Sequence, residues 1–197
     1  MEREVDLVVR VVAPALRAPV GVAGARVREA RAERAEPTGP PLRQEHDRGA
    51  EKNEREQAAE KQLFELVNND RAKFNQPPLK FSPRLSAMAK AHAKDMMKRN
   101  FFSHTNKDGL DAQARAAKMN IGIGVYENIA YQQGEIEDAQ KVINLEKDFM
   151  SEPEGPRNHR YNILYPAHTS VGVGVAIKGD KLILVEEFTD MPPTGEN

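Results

Sequence analysis

Residues 171–188 read VGVGVAIKGDKLILVEEF, and this stretch decides the architecture. Val171, Val173 and Val175 alternate with small residues, Leu182 to Phe188 forms a second apolar run, and Lys178-Gly-Asp-Lys181 stands between the two. A period of two marks a strand, and Gly-Asp between two such runs is a turn signal, so the segment predicts an antiparallel hairpin.

The sequence before the hairpin has a different period. Ala59, Leu63, Leu66, Val67 and Phe74 recur at spacings of three and four, which predicts an amphipathic helix stopping near Pro77-Pro78. Ser82 followed by Pro83 reads as the N-cap and first position of a second helix running to about Asn100. Its buried stripe is Leu85, Met88, Ala89, His92 and Met96. A short helix is expected over Leu110 to Met119, then a strand holding Tyr126-Glu-Asn-Ile-Ala-Tyr131. A helix from Glu135 to about Met150 should carry Ile136, Ala139, Val142, Ile143 and Phe149 on one face, with a short helix after Asn158. Helices before and between strands that end in a hairpin imply an α+β layered domain.

The chain's 197 residues suit one domain plus an appendage. Before residue 56 nearly every base is arginine, and Pro14 to Leu42 offers almost no large apolar side chain to offset the entropy of ordering. We therefore expect residues 1–56 to be a mostly disordered Arg/Ala/Pro-rich extension, 57–190 a folded domain and 191–197 a frayed tail. Val5 to Val12 has the apolarity of a damaged signal peptide, but its start is acidic and Arg10 interrupts it. With no cysteine, disulfides, thiolate metal sites and cysteine nucleophiles are excluded. A net charge of -1 gives no reason to bind nucleic acid, and no apolar run reaches the roughly 20 residues of a membrane span.

Some polar residues do not fit a pure core. His104 follows an aromatic pair at a helix end, Glu127 sits inside an apolar strand, and His159 opens an apolar turn behind an acidic loop. Imidazole and carboxylate are ligands suited to Zn²⁺ or a similar divalent ion, and they are also acid–base groups. From residue types alone, a shared site competes with separate surface and capping roles. His92, on the stripe of its helix, reads as a core histidine; His46 and His168 receive no role. Asn128 either orients Glu127 or bonds at the strand edge. Ser103 and Ser151 read as turn or cap residues, because no base or oxyanion hole accompanies them.

The ordered set Phe102-Ser-His104, Glu127-Asn-Ile-Ala130, Asn158-His-Arg-Tyr-Asn-Ile-Leu164 and Val171-Gly-Val-Gly174 resembles the CAP superfamily, also called SCP or PR-1-like domains. It is most similar to the short, cysteine-free bacterial branch. Val67-Asn-Asn-Asp-Arg71 with Pro77-Pro-Leu79 is similar to that branch's opening, so the likeness runs from about residue 58 to 189. The resemblance implies a three-layer α-β-α sandwich with a central, mostly antiparallel sheet and a large cleft. It also implies a metal set of His104, Glu127, Glu152 and His159, with Glu154 as substitute for Glu152 at the end of Phe149-Met-Ser-Glu152. Phe149 stands where Trp is common, and Tyr126 and Asn158 stand where glycine is usual. By resemblance the protein is an exported, extracellular or cell-envelope binding module. Its cleft would hold a divalent metal, zinc foremost, and a lipid or other small-molecule ligand. The alternative is a hydrolase of peptide or cell-wall polymer, metal-dependent or acid–base, with Glu127 and His159 as catalytic candidates.

Overall fold

The computed structural model describes residues 9–12, 42–122 and 124–191. Among the described residues five α-helices and five β-strands follow in the order β1 (Val9–Val12), α1 (Leu42–Lys73), β2 (Lys80–Phe81), α2 (Pro83–Arg99), α3 (Ala112–Lys118), β3 (Val125–Gln133), α4 (Asp138–Met150), α5 (His159–Leu164), β4 (Ser170–Lys178) and β5 (Lys181–Thr189). The sheet order is β1-β3-β5-β4-β2. Its long pairings, β3 with β5 and β5 with β4, are antiparallel, while the short edge strands β1 and β2 pair in parallel.

Side chains alternate between the two faces of each strand, and the alternation sorts the core into two layers. Val171, Val173, Val175, Leu182, Leu184 and Phe188 face α1, α4 and α5. Ile129, Ala176, Ile183 and Val185 face α2, and Val125 packs with Leu85, Ala112 and Ala116 of α2 and α3. The α-β-α sandwich expected from the sequence is the architecture found. Gly172 and Gly174 lie on the α2 face, where a Cβ would fall 2.2 Å from Ser86 N and 2.1 Å from Lys90 N. The small residues of the VGVGV run thus let helix backbone lie directly on strand backbone.

Beyond the two-residue β2, the outer edge of β4 meets side chains instead of a strand. Val173 N donates to Ser86 Oγ at 2.9 Å, Val175 N to Glu60 Oε1 at 3.1 Å and Ile177 N to Glu56 Oε1 at 3.1 Å. Lys90 and Lys94 neutralise these two glutamates from α2.

Local signals explain the helix ends. Ser82 accepts from Leu85 N at 3.1 Å, Pro83 opens α2, and Asn100 ends it in the left-handed region at φ 50°. α1 begins at Leu42 and buries Glu56, ahead of residue 57 where the folded domain was expected to start; residues 1–8 and 13–41 of the expected extension lie outside the described residues, as do 192–197 of the tail. Val9–Val12, within the run of signal-like apolarity, is a strand. Two expectations are corrected. Phe74 lies beyond α1, is 41% exposed and packs under the Arg160 guanidinium instead of in the core. Of the expected α4 stripe, Ile136 precedes the helix and is exposed, as are Ala139 and Ile143, while Lys141 and Glu146 are buried, Lys141 against Asp138 of its own helix and Glu146 beside Glu186 of β5.

Candidate functional site

The loop after α2 is built to present His104. Asn106 Oδ1 accepts from Asp108 N at 3.0 Å and Leu110 N at 2.9 Å, Arg99 holds Asp108 through two hydrogen bonds, and Phe102 packs edge-on against Tyr131. Asp111 caps α3 by accepting from Ala114 N at 2.8 Å. That short helix delivers Arg115, which donates to the His104 carbonyl at 2.7 Å and bonds the Glu127 carboxylate. His104 Nδ1 lies 2.8 Å from the other Glu127 oxygen.

Two further residues complete this group. Glu187 is opposite Glu127 in register, with Arg115 Nη2 3.6 Å from its Oε1. His92, buried as expected, contacts the Ser103 carbonyl at 3.0 Å and lies 3.9 Å from Glu127 Oε2. Burial pushes the Glu127 carboxyl up, but the His104 hydrogen bond, the Arg115 guanidinium and His92 outweigh it and leave the group below its ordinary value. Burial and the charge of Glu127 push Glu187 well above the carboxylate range, while burial pushes His92 down.

The second group forms on the other face. Asn158 caps α5 by accepting from Tyr161 N at 2.8 Å. Glu152 accepts from His159 N at 2.8 Å, its other oxygen lies 2.6 Å from His159 Nδ1, and the Phe149 ring stacks on the imidazole at 4.3 Å. Glu154, 85% exposed at its side chain, pairs instead with Arg160. Asn128 ties this group to the sheet, donating to the His159 carbonyl at 3.1 Å and to Glu186 Oε2 at 2.9 Å. Asn162 Nδ2 donates to Asn128 Oδ1 at 2.8 Å and reaches the Glu127 carbonyl at 3.5 Å. Through these amides α5 is held at the margin of β3.

The four residues expected to share one metal are therefore arranged as two carboxylate–imidazole pairs, His104 with Glu127 and His159 with Glu152. Among the described residues no group of three or more His, Cys, Asp or Glu converges as metal ligands would. Glu127 in particular has one oxygen on His104 and the other on a cationic partner. Residue types alone pointed to neither Arg115 nor Glu187. Glu186-Glu187 inside an otherwise apolar strand is the signal that was available, the same kind that marked Glu127. His168, given no role, is buried between Tyr126, Tyr165 and Phe188; burial and then Arg71 push its imidazole down to about 4. A surface groove of about 360 Å³ at the far end of β3, lined by Arg55, Glu135, Asp138, Lys141 and Asp180 among others, shares no residue with either pair.

A sandwich of this topology, with these motifs at the same sheet margin, defines a class: residues 64–188 match the CAP family, the cysteine-rich secretory protein family, and the chain belongs to it. Among curated proteins it is similar to the uncharacterised protein YkwD of Bacillus subtilis, 32% identical over 124 residues, covering 62% of this chain and 44% of that protein. Among solved structures it is similar to an extracellular SCP-domain protein of Bacillus anthracis, at 27% identity and TM-score 0.58 over 68% of this chain and 41% of that one. The chain thus spans less than half the length of both. NaASP2, crystallised with Zn²⁺, shares the fold at 13% identity and TM-score 0.50, over 68% of this chain and 82% of that one. No helix among the described residues is long and apolar enough to cross a membrane.

Proposed function

We propose that the chain is an exported CAP-domain binding module in which His104 and His159 hold a divalent cation while Glu127 and Glu152 orient them. The observation that carries this reading is the pair of Nδ1 contacts to carboxylates, at 2.8 Å and 2.6 Å. A carboxylate facing Nδ1 places the ring proton there and makes Nε2 the lone-pair nitrogen, which is the arrangement of a metal-binding histidine. The two acids, first expected as ligands, serve here to set ring tautomer and orientation. The amides of Asn128 and Asn162, which hold α5 against β3, support a site spanning that strand margin. A bound ion would supply an electrophilic centre for a small carboxylate- or hydroxyl-bearing ligand. Zn²⁺ is favoured by the imidazole donors and by its presence in crystals of NaASP2. An extracellular location is supported by the Bacillus anthracis relative.

The hydrolase alternative has less behind it. A general base needs an oxygen available to a water, and both Glu127 oxygens are engaged, one by a guanidinium.

Calorimetric titration of Zn²⁺ into the full chain tests the proposal. Micromolar binding at pH 7.5, lost in both His104→Ala and His159→Ala and weakened at pH 5.5, is expected because a protonated imidazole does not coordinate. Binding that survives either substitution, or no binding at all, overturns it.

A further inference from the structure

Glu146 of α4 and Glu186 of β5 are buried, 1% and 0% exposed, on the face covered by α1, α4 and α5. Glu186 Oε2 accepts from Asn128, whereas Glu186 Oε1 and both oxygens of Glu146 lack a donor among the described residues. Most of the surrounding charges are committed elsewhere. From α1, Asp70 adds a third acid, tied to Lys73 at 2.6 Å, and Arg71 donates from Nε and Nη1 to the Pro77, Ile163 and Tyr165 carbonyls, its Nη2 having no hydrogen-bond partner among the described residues. From α4, Lys141 pairs with Asp138; from α5, His159 pairs with Glu152; and Arg115 lies on the opposite face of the sheet with Glu127 and Glu187. Asn128 of β3 carries no charge.

Adjacent buried carboxylates with no cation do not both stay ionised. A single proton between them supplies the missing donor and satisfies an otherwise orphaned oxygen on each side. The titration tendencies agree. Burial, then Glu186 and Asp70, raises Glu146 well above the carboxylate range, and burial pushes Glu186 up to about 7.

We propose that Glu146 and Glu186 share one proton that latches α4 to β5, and that its loss in alkaline solution loosens the α4–α5 half of the candidate site. The link to the site is covalent and short: α4 ends at Met150, Glu152 follows it, and Glu152 holds His159. A second link runs from Glu186 through the Asn128 amide to the His159 carbonyl. The regulatory meaning of the latch rests on the reading of Glu152 and His159 as part of the functional site; the latch itself does not.

The test compares the full chain with Glu146→Gln and Glu186→Gln in metal-free buffer containing a chelator. Each glutamine offers a permanent amide donor where the proton sat. In the unmodified protein the thermal midpoint is expected to fall by several degrees as pH rises from 6.5 to 9. Amide exchange in α4 and in residues 152–165 should rise beyond its intrinsic pH dependence. In both variants the fall and the extra exchange should vanish, and if Glu146→Gln does not fold, Glu186→Gln decides. A flat midpoint in the unmodified protein, or an equal fall in the variants, overturns the latch. No readout uses a metal. A chain that binds no Zn²⁺ but shows the transition keeps the latch and loses the metal reading; a chain that binds Zn²⁺ without the transition does the reverse.

Discussion

Glu127 and Glu187 stand directly opposite one another on β3 and β5, and the guanidinium of Arg115 faces both. One cation between two buried acids divides their roles. Glu127, with His104 and Arg115 as donors, remains the carboxylate; Glu187, pushed up by burial and by its neighbour's charge, holds the proton. Arg115→Met removes the cation and leaves buried charge behind, so a loss of about 3–5 kcal/mol is expected in urea unfolding. Glu187→Gln keeps the neutral form already present and should change stability by less than about 1 kcal/mol.

Glu152 is assigned an orienting part, and this separates it from the histidines. Glu152→Ala should weaken Zn²⁺ binding by roughly 10–100-fold without abolishing it, as loss of a group that orients a ligand does. Complete loss in calorimetry, equal to that of His159→Ala, would make Glu152 a direct ligand.

His168 predicts an acid-side dependence. Its folded-state value of about 4 lies below the ordinary 6.5, so the unfolded chain binds the proton more readily. Stability contributed by the neutral ring is complete above about pH 6.5 and is lost as pH falls through 4, on the order of 3 kcal/mol. Glu186 slopes the opposite way, because its raised value makes the folded state the better proton binder up to about 7. The two dependences offset each other where they overlap. Replacing the imidazole in His168→Phe should therefore unmask a fall in thermal midpoint as pH rises from 5 to 7, measurable by circular dichroism.

Gly174→Ala would put a methyl group 2.1 Å from Lys90 N and 2.3 Å from Ala89 C, where backbone must move. A cost of about 3 kcal/mol or more is expected, whereas Gly155→Ala, with nothing within 4 Å, should stay within about 0.5 kcal/mol. Equal effects in chemical denaturation would contradict the close approach of α2 to β4.

What was legible in the sequence was local. The Gly-Asp hairpin, the Ser82-Pro83 start of α2 and the motif positions His104, Glu127 and His159 carry their signal within a few residues. The unread features depend on register. Glu187 becomes a partner of Glu127 only when β3 and β5 are paired residue for residue, and Arg115 in the Ala-rich α3 looks like a solvated base until that helix is placed over the strand. Glu146 broke the apolar-stripe rule for the same reason, since its face of α4 is defined by Glu186 rather than by the core. The start of α1 at Leu42 was hidden by charged residues that contribute little hydrophobic periodicity.

The edge of β4 has a consequence for how copies of this chain behave in concentrated solution. A strand with open amides is a template on which another chain can lay its own backbone, and such pairing seeds fibrils. At Val173, Val175 and Ile177 the amides are already answered by Ser86, Glu60 and Glu56, and Lys90 and Lys94 add charge beside them. Most of the long apolar strand at this side of the sheet is thereby closed to recruitment, which protects the folded protein from self-assembly.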